Sequence, residues 1–212
     1  FRLEPTMKQE KILVDIAGAT RFVWNKALRM NLTRLEDKNK ILWRDELSFW
    51  LTFWKESEDY KFLKLADSQA LQQKLCDLDK AFKDAFDKNQ PLKLIPVYKK
   101  KGLSDSFRYP QRTKIDQDKR KVYLPKIGWV EYRKSQQIDM DHAEIRSMTV
   151  SKKGEHWFVS VLVNQTNTLK QTNKAPTKQA SNQSTPTNAQ THKRANKQIS
   201  NQVINQTNKQ TT

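Results

Sequence analysis

The sequence predicts an α+β protein: a small β-barrel with a helical insertion after the first strand, plus a disordered C-terminal tail. Three observations lead there. A short extended segment at Phe1–Glu4 is closed by Pro5, and helical spacing of apolar residues then runs to about residue 90. At Pro91 the period changes, Pro96 and Pro110 exclude long helices, and alternating strands follow. From about Gln165 the composition collapses to Thr, Asn, Gln and Lys. The resulting plan assigns 1–5 and 91–164 to the barrel, 6–90 to a helical recognition insertion with a helix-turn-helix-like pair, and 165–212 to the tail.

Each element has its own signal. Thr6 with Gln9 three residues on is a capping-box pattern, and Ile12, Leu13 and Ile16 supply the buried face behind it. Gly18 is read as a break, with a second helix carrying Phe22, Val23, Ala27 and Leu28. Over Ile41–Trp54, Trp43, Leu47, Trp50 and Trp54 form one stripe with Phe49 and Phe53 beside it. Such regular spacing assigns Trp50 and Trp54 to the core and leaves Trp43 open. Tyr60–Leu65 reads as a linker or short turn.

Asp67–Phe86 is the segment around which the rest is organised. Leu71, Leu75, Leu78, Phe82 and Phe86 make one side apolar, while Gln69, Gln72, Gln73, Lys80 and Lys83 fall mainly on another. Gln can read an adenine edge through its paired donor and acceptor, although the same pattern also suits a solvated bundle helix. Farther on, Lys114–Leu124 reads as a hairpin turning at Asp116–Lys119, and Gly128–Arg133 as a strand. Ile145–Ser151 and His156–Val163 make the clearest hairpin. The second of these strands is apolar on both faces, through Trp157, Val159, Val161 and Val163 and through Phe158 and Leu162, so it belongs centrally.

The 212 residues suffice for one or two domains, but with 36% hydrophobic against 30% charged they are lean for one large core. A net charge of +17 and a pI near 9.9 point to a polyanion, nucleic acid first. No run is apolar enough for a membrane span and no secretory signal is present, so no membrane partner is expected. The single Cys76 rules out an internal disulfide and fits a reducing, cytoplasmic setting. The tail carries no aromatic and no acidic residue, and QTNK recurs at Gln171–Lys174 and Gln206–Lys209. It should be disordered, since it cannot bury enough apolar surface to offset chain entropy. Its seven cations leave +10 of the +17 on the rest of the chain.

Six blocks in register carry a resemblance: RFVWNKAL (Arg21–Leu28), SQALQQKLCDLDKAF (Ser68–Phe82), YKKKG (Tyr98–Gly102), SFRYPQ (Ser106–Gln111), VYLPKIGWV (Val122–Val130) and TVSKKGEHWFVSVLV (Thr149–Val163). Together they resemble the N-terminal half of the OrfB/TnpB family, transposon proteins similar to RNA-guided DNA nucleases and ancestral to type V CRISPR effectors. The resemblance implies duplex DNA and structured guide RNA as partners, and a prokaryotic, nucleoid-associated protein. It further implies base contacts at Trp43 (an aromatic in the family), Ser68, Gln69 and Gln72, with Gln111 or Arg112 from the barrel side. Ser68 and Gln69 stand where some relatives carry Lys and Phe, which leaves the preferred DNA motif open.

Other candidates come from the residues themselves. Lys99, Lys100, Lys101 and the stretch Ser106–Arg112 are basic and interleaved with Tyr98, Phe107 and Tyr109, an arrangement suited to phosphate contact plus stacking. Phe107 reads either as a stacking ring or as a plug of the barrel. Arg108 reads either as a backbone contact or as structural. Arg21 and Asn25 could face guide RNA or the helical core.

Chemistry for cleavage is not legible. Two-metal hydrolysis needs carboxylates to hold Mg²⁺, yet the tail has neither Asp nor Glu. The pairs Asp139/Asp141 and Asp77/Asp79 sit in ordinary polar contexts, and His142, His156 and His192 are isolated. No catalytic residue, metal site or cofactor is expected. The expectation is the recognition half of a TnpB-like protein without its nuclease domain. The alternatives are a helix-turn-helix-type DNA-binding protein acting without RNA, and a non-functional truncated remnant.

Overall fold

The computed structural model describes residues 1–103, 105–133, 135–138 and 143–165. The expected disorder beyond Gln165, the pair Asp139/Asp141, His142 and His192 lie outside them. The described residues belong to one compact unit, Phe1–Thr168.

Strand β1 (Arg2–Glu4) leads through Pro5 into helix α1 (Met7–Glu36). The capping box forms as read. The Thr6 backbone N–H donates to Gln9 Oε1 at 3.0 Å, and the Gln9 backbone N–H donates to Thr6 Oγ1 at 3.4 Å. Gln9 also reaches the sheet, its Nε2 donating to the Trp129 carbonyl at 2.8 Å.

The break expected at Gly18 is absent: α1 runs unbroken for 30 residues. A mid-helix glycine costs about 1 kcal/mol. Burial of Leu13, Ile16, Ala17, Thr20, Val23, Trp24, Ala27 and Leu28 on both sides of it outweighs that.

Asn31 ends the buried face by clamping the next segment. Its Nδ2 donates to the Leu42 carbonyl at 3.0 Å, and its Oδ1 accepts from the Leu42 N–H at 2.8 Å. Helix α2 (Arg44–Glu56) buries Leu47, Leu51 and Trp54. Trp50, expected in the core, is 37% exposed, because it lies at the margin of that stripe; Phe49 and Phe53 face outward. A 3₁₀ segment (Glu58–Leu65) anchored by buried Leu63 joins α2 to helix α3 (Ser68–Phe86). Asp67 caps α3 by accepting from the Gln69 N–H at 2.9 Å. Phe86, grouped with the apolar side in sequence, is half exposed at the fraying end.

Strands β2 (Ser106–Tyr109), β3 (Lys114–Asp116), β4 (Lys121–Leu124), β5 (Gly128–Arg133), β6 (Ala143–Lys153) and β7 (His156–Gln165) complete one antiparallel sheet with β1. Its order is β2-β6-β7-β1-β5-β4-β3. Both expected hairpins form, and doubly apolar β7 lies inside the sheet between β6 and β1. Gln165, the first residue assigned to the tail, is the last of β7.

The expected barrel does not close. Closure requires the two outer strands to pair. Here β2 pairs only with β6 and β3 only with β4, and these outer strands are just four and three residues long. Helices α1 and α3 pack against β2 instead. The core between helices and sheet joins Leu71, Leu75, Leu78 and Phe82 with Phe107, Tyr109, Val150 and Trp157.

Candidate nucleic-acid interface

Helix α3 divides cleanly. Its buried side holds Ala70, Leu71, Lys74, Leu75, Leu78 and Phe82, and Gln72, Lys80 and Lys83 are exposed on the other. Gln72 and Lys83 are eleven residues apart, three helical turns, so they share one line about 16 Å long. At the far end of that line stands Trp43, the residue before α2. Its ring is 38% exposed, with Lys83 Nζ 5.4 Å from the ring centroid. Asp79 sits between, accepting from Lys83 Nζ at 2.8 Å and from the Arg44 N–H at 3.3 Å.

The start of α3 borders a basin of about 440 Å³ lined by four cations, Lys55, Lys64, Arg112 and Lys126, and by two acids, Asp67 and the Glu56 that pairs with Lys64 at 3.1 Å. Ser68 is exposed there and accepts from Lys55 Nζ at 2.7 Å. Arg112 adopts φ +62° and donates to Asp67 Oδ2 at 3.0 Å, so the barrel-side candidate is brought to the cap of α3. Gln111 is exposed beside it. Gln69 differs from Gln72: it is partly buried, and its Oε1 is buried without a hydrogen-bond partner.

The remaining candidates hold the protein together. Arg21 pairs with Asp105 at 2.5 Å, both largely buried. Asn25 grips the Lys99 backbone twice, its Nδ2 donating to the carbonyl at 3.0 Å and its Oδ1 accepting from the N–H at 2.8 Å. With Trp24 Nε1 donating to the Val97 carbonyl at 3.0 Å, these bonds strap the segment after Pro96 along α1. Phe107 is in the core against Tyr109 and Trp157, with 1% exposure and no ring face free to stack. Arg108 donates to Asp77 at 2.7 Å, joining β2 to α3.

The lysine triplet is split. Lys100 and Lys101 are exposed, whereas Lys99 lies half-buried with Nζ 4.0 Å from the Trp24 ring centroid. Burial, and then the charge of Lys74, push Lys99 down to about 8, with Asp77 pulling the other way. Lys74 itself is buried and pairs with Asp77 at 3.4 Å.

Sequence reasoning missed Lys55, Lys64 and Lys126, which are scattered singly along the chain and meet only through the fold. It also missed Lys26 and Arg29 on α1, although their spacing from Arg21 and Phe22 places them on one helix face. Among the described residues, no three His, Cys, Asp or Glu side chains come together in a way that could hold a metal ion. No described helix is long and apolar enough to cross a membrane.

An α+β fold whose basic, polar helix face is served by loops from both sides is the frame into which the comparisons fit. Residues 1–40 match the family model described as a helix-turn-helix domain, of the OrfB kind. In this chain those residues form β1 and the continuous α1, without a turn between two helices. InsQ of Escherichia coli (strain K12), assigned as an RNA-guided DNA endonuclease, is 38% identical over 161 residues, 76% of this chain and 39% of InsQ. A Streptomyces pristinaespiralis protein with the same assignment is 30% identical over 170 residues, 79% of this chain and 41% of its own length. The chain thus spans about two fifths of the length of these curated relatives. The chain is homologous to the N-terminal part of these two proteins.

Proposed function

We propose that this chain is the nucleic-acid recognition part of a TnpB-like transposon protein, binding duplex DNA through the polar face of α3 together with a structured guide RNA. The observation that carries the proposal is the exposed line from Gln72 to Lys83 and Trp43, set on a helix whose other side is locked into the core. In this reading Gln72 contacts a base edge and Trp43 packs against a neighbouring base or sugar. Lys100, Lys101, Arg112 and Gln111 hold phosphates. Phosphate contacts position the duplex and supply most of the affinity; base contacts supply the preference.

Docking of a recognition helix after a turn forms no part of the proposal, because α1 is continuous. Cleavage is likewise assigned elsewhere. Support comes from the share of the relatives that the chain spans. With Mg²⁺, guide RNA and matched target DNA, the chain alone is expected to leave the target intact. Specific cleavage that a chelator abolishes would overturn that assignment.

The recognition reading is tested by selection from a randomised duplex library with guide RNA present. A short enriched motif is expected, and Gln72→Ala should relax it at one base pair. Enrichment no better than bulk DNA would reject the reading.

A further inference from the structure

A second concave surface lies along α1. Its floor is the exposed side of that helix, including Gly18, where an added Cβ would meet only Arg21 Nη2 at 3.9 Å. One wall is the 3₁₀ segment and the other is the strapped loop, and the open groove between them has a volume of about 930 Å³. That is at the upper end of the ~300–1,000 Å³ typical of ligand sites.

Two rings line opposite walls, Phe62 at 39% exposure and Tyr98 at 50%. Phe62 is braced edge-on by Phe22, with centroids 5.1 Å apart at 81°, and Phe22 in turn meets Tyr60 at 5.1 Å. Lys26 is fixed at the rim, donating to the Tyr60 hydroxyl at 3.0 Å. Arg29 and Lys101 also line the groove, both exposed and without an ion-pair partner among the described residues. The groove continues past Lys26 and Arg29 into a further hollow of about 490 Å³ beside Trp50.

Two exposed rings, one of them braced, among unpaired cations are the chemistry of a single strand: bases stack on the rings while the backbone is held by charge. A duplex offers no free base faces here. Asp15 is the one acid in the lining. It would repel phosphate, but a carboxylate accepts from a ribose 2′-hydroxyl, the group that distinguishes RNA from DNA.

We propose that the α1 groove binds unpaired RNA, stacking bases on Tyr98 and Phe62 and holding phosphates with Arg29 and Lys101. This site lies along α1 and has no residue of α3 in its lining; it rests on the premise that the chain binds nucleic acid and shares one residue, Lys101, with the phosphate contacts proposed above, whereas Tyr98, Phe62 and Arg29 belong to it alone.

The test is fluorescence anisotropy of the full chain with a short labelled oligoadenylate RNA across a salt series, with the deoxy strand and a duplex in parallel. Tyr98→Ala is expected to weaken RNA about tenfold with an unchanged salt slope, since stacking and not charge is lost. Arg29→Gln with Lys101→Gln should flatten that slope by about 1.4, two single-strand phosphates. The deoxy strand should bind more weakly, and Asp15→Asn should narrow the difference. Duplex affinity should be indifferent to Tyr98→Ala.

Unchanged RNA affinity in Tyr98→Ala, with Phe62→Ala folded and equally silent, would overturn the proposal. Equal binding of the deoxy strand would overturn the ribose assignment. Absence of RNA binding together with a self-association lost in Tyr98→Ala would make the groove a protein interface instead. Gln72→Ala keeps the two readings apart: lost duplex preference is its expected effect, and RNA affinity should not follow it.

Discussion

Asn31 and Lys99 show how single residues fix this structure. Asn31 is almost fully buried and satisfies both backbone groups of Leu42. Asn31→Ala strands that N–H and carbonyl away from water and should cost about 1–3 kcal/mol in urea denaturation. A change within error would mean that the turn between α1 and α2 finds water instead. Lys99 carries the opposite kind of strain. Its folded-state value is about 8 against an ordinary 10.5, so the unfolded chain binds more protons between those limits and stability should rise with pH across them. Below about pH 8 the charged Lys99 is a burden only partly offset by Trp24. Lys99→Met should therefore raise the melting temperature near pH 7, with the advantage shrinking as pH climbs towards 10. An advantage that is constant with pH would assign the effect to packing. At this scale the sequence misleads most. YKKKG reads as three equivalent lysines, and only the meeting of α1 with the loop separates Lys99 from its neighbours. Phe107 and Arg108 likewise stay open between contact and structure in the sequence, until β2 is seen against α3.

Helices and strands were far more legible, because period and caps are local properties. Thr6 with Gln9, the β3–β4 hairpin and the β6–β7 hairpin all fall where the residues indicate. Gly18 was misread because a glycine weakens a helix without ending it; burial on both sides decides. This makes a simple test. Gly18 is not among the residues with positive φ, and an added Cβ has open space, so Gly18→Ala should stabilise by up to about 1 kcal/mol. A loss of stability in thermal melts would instead indicate a turn at that position. Trp50 was misread for a related reason. Helical spacing places it with Leu47 and Trp54, yet a helix needs only part of its apolar arc for contact, and the margin stays in water.

For the whole molecule, strand order and closure were the hard part. Alternating residues state that strands exist, and apolar residues on both faces of β7 state that it lies inside a sheet. Nothing local states whether β2 and β3 meet, since that depends on how α1 and α3 fill the space beside β2. The candidate interface was half legible on the same terms. Gln72 belongs to a motif block and a helix face and Trp43 to an aromatic stripe, whereas the basin at Asp67 draws its cations from four separate segments. Its division of labour is open to direct measurement: duplex binding, with guide RNA present, on the preferred and a scrambled sequence at several salt concentrations. Gln72→Ala should cost about 1–3 kcal/mol on the preferred duplex and little on the scrambled one. Lys100→Ala with Lys101→Ala should weaken both alike and flatten the salt slope by about 1.8, two duplex phosphates. Equal weakening of both duplexes by Gln72→Ala, in a variant that melts like the parent, would make α3 a scaffold and contradict its role as the reading face.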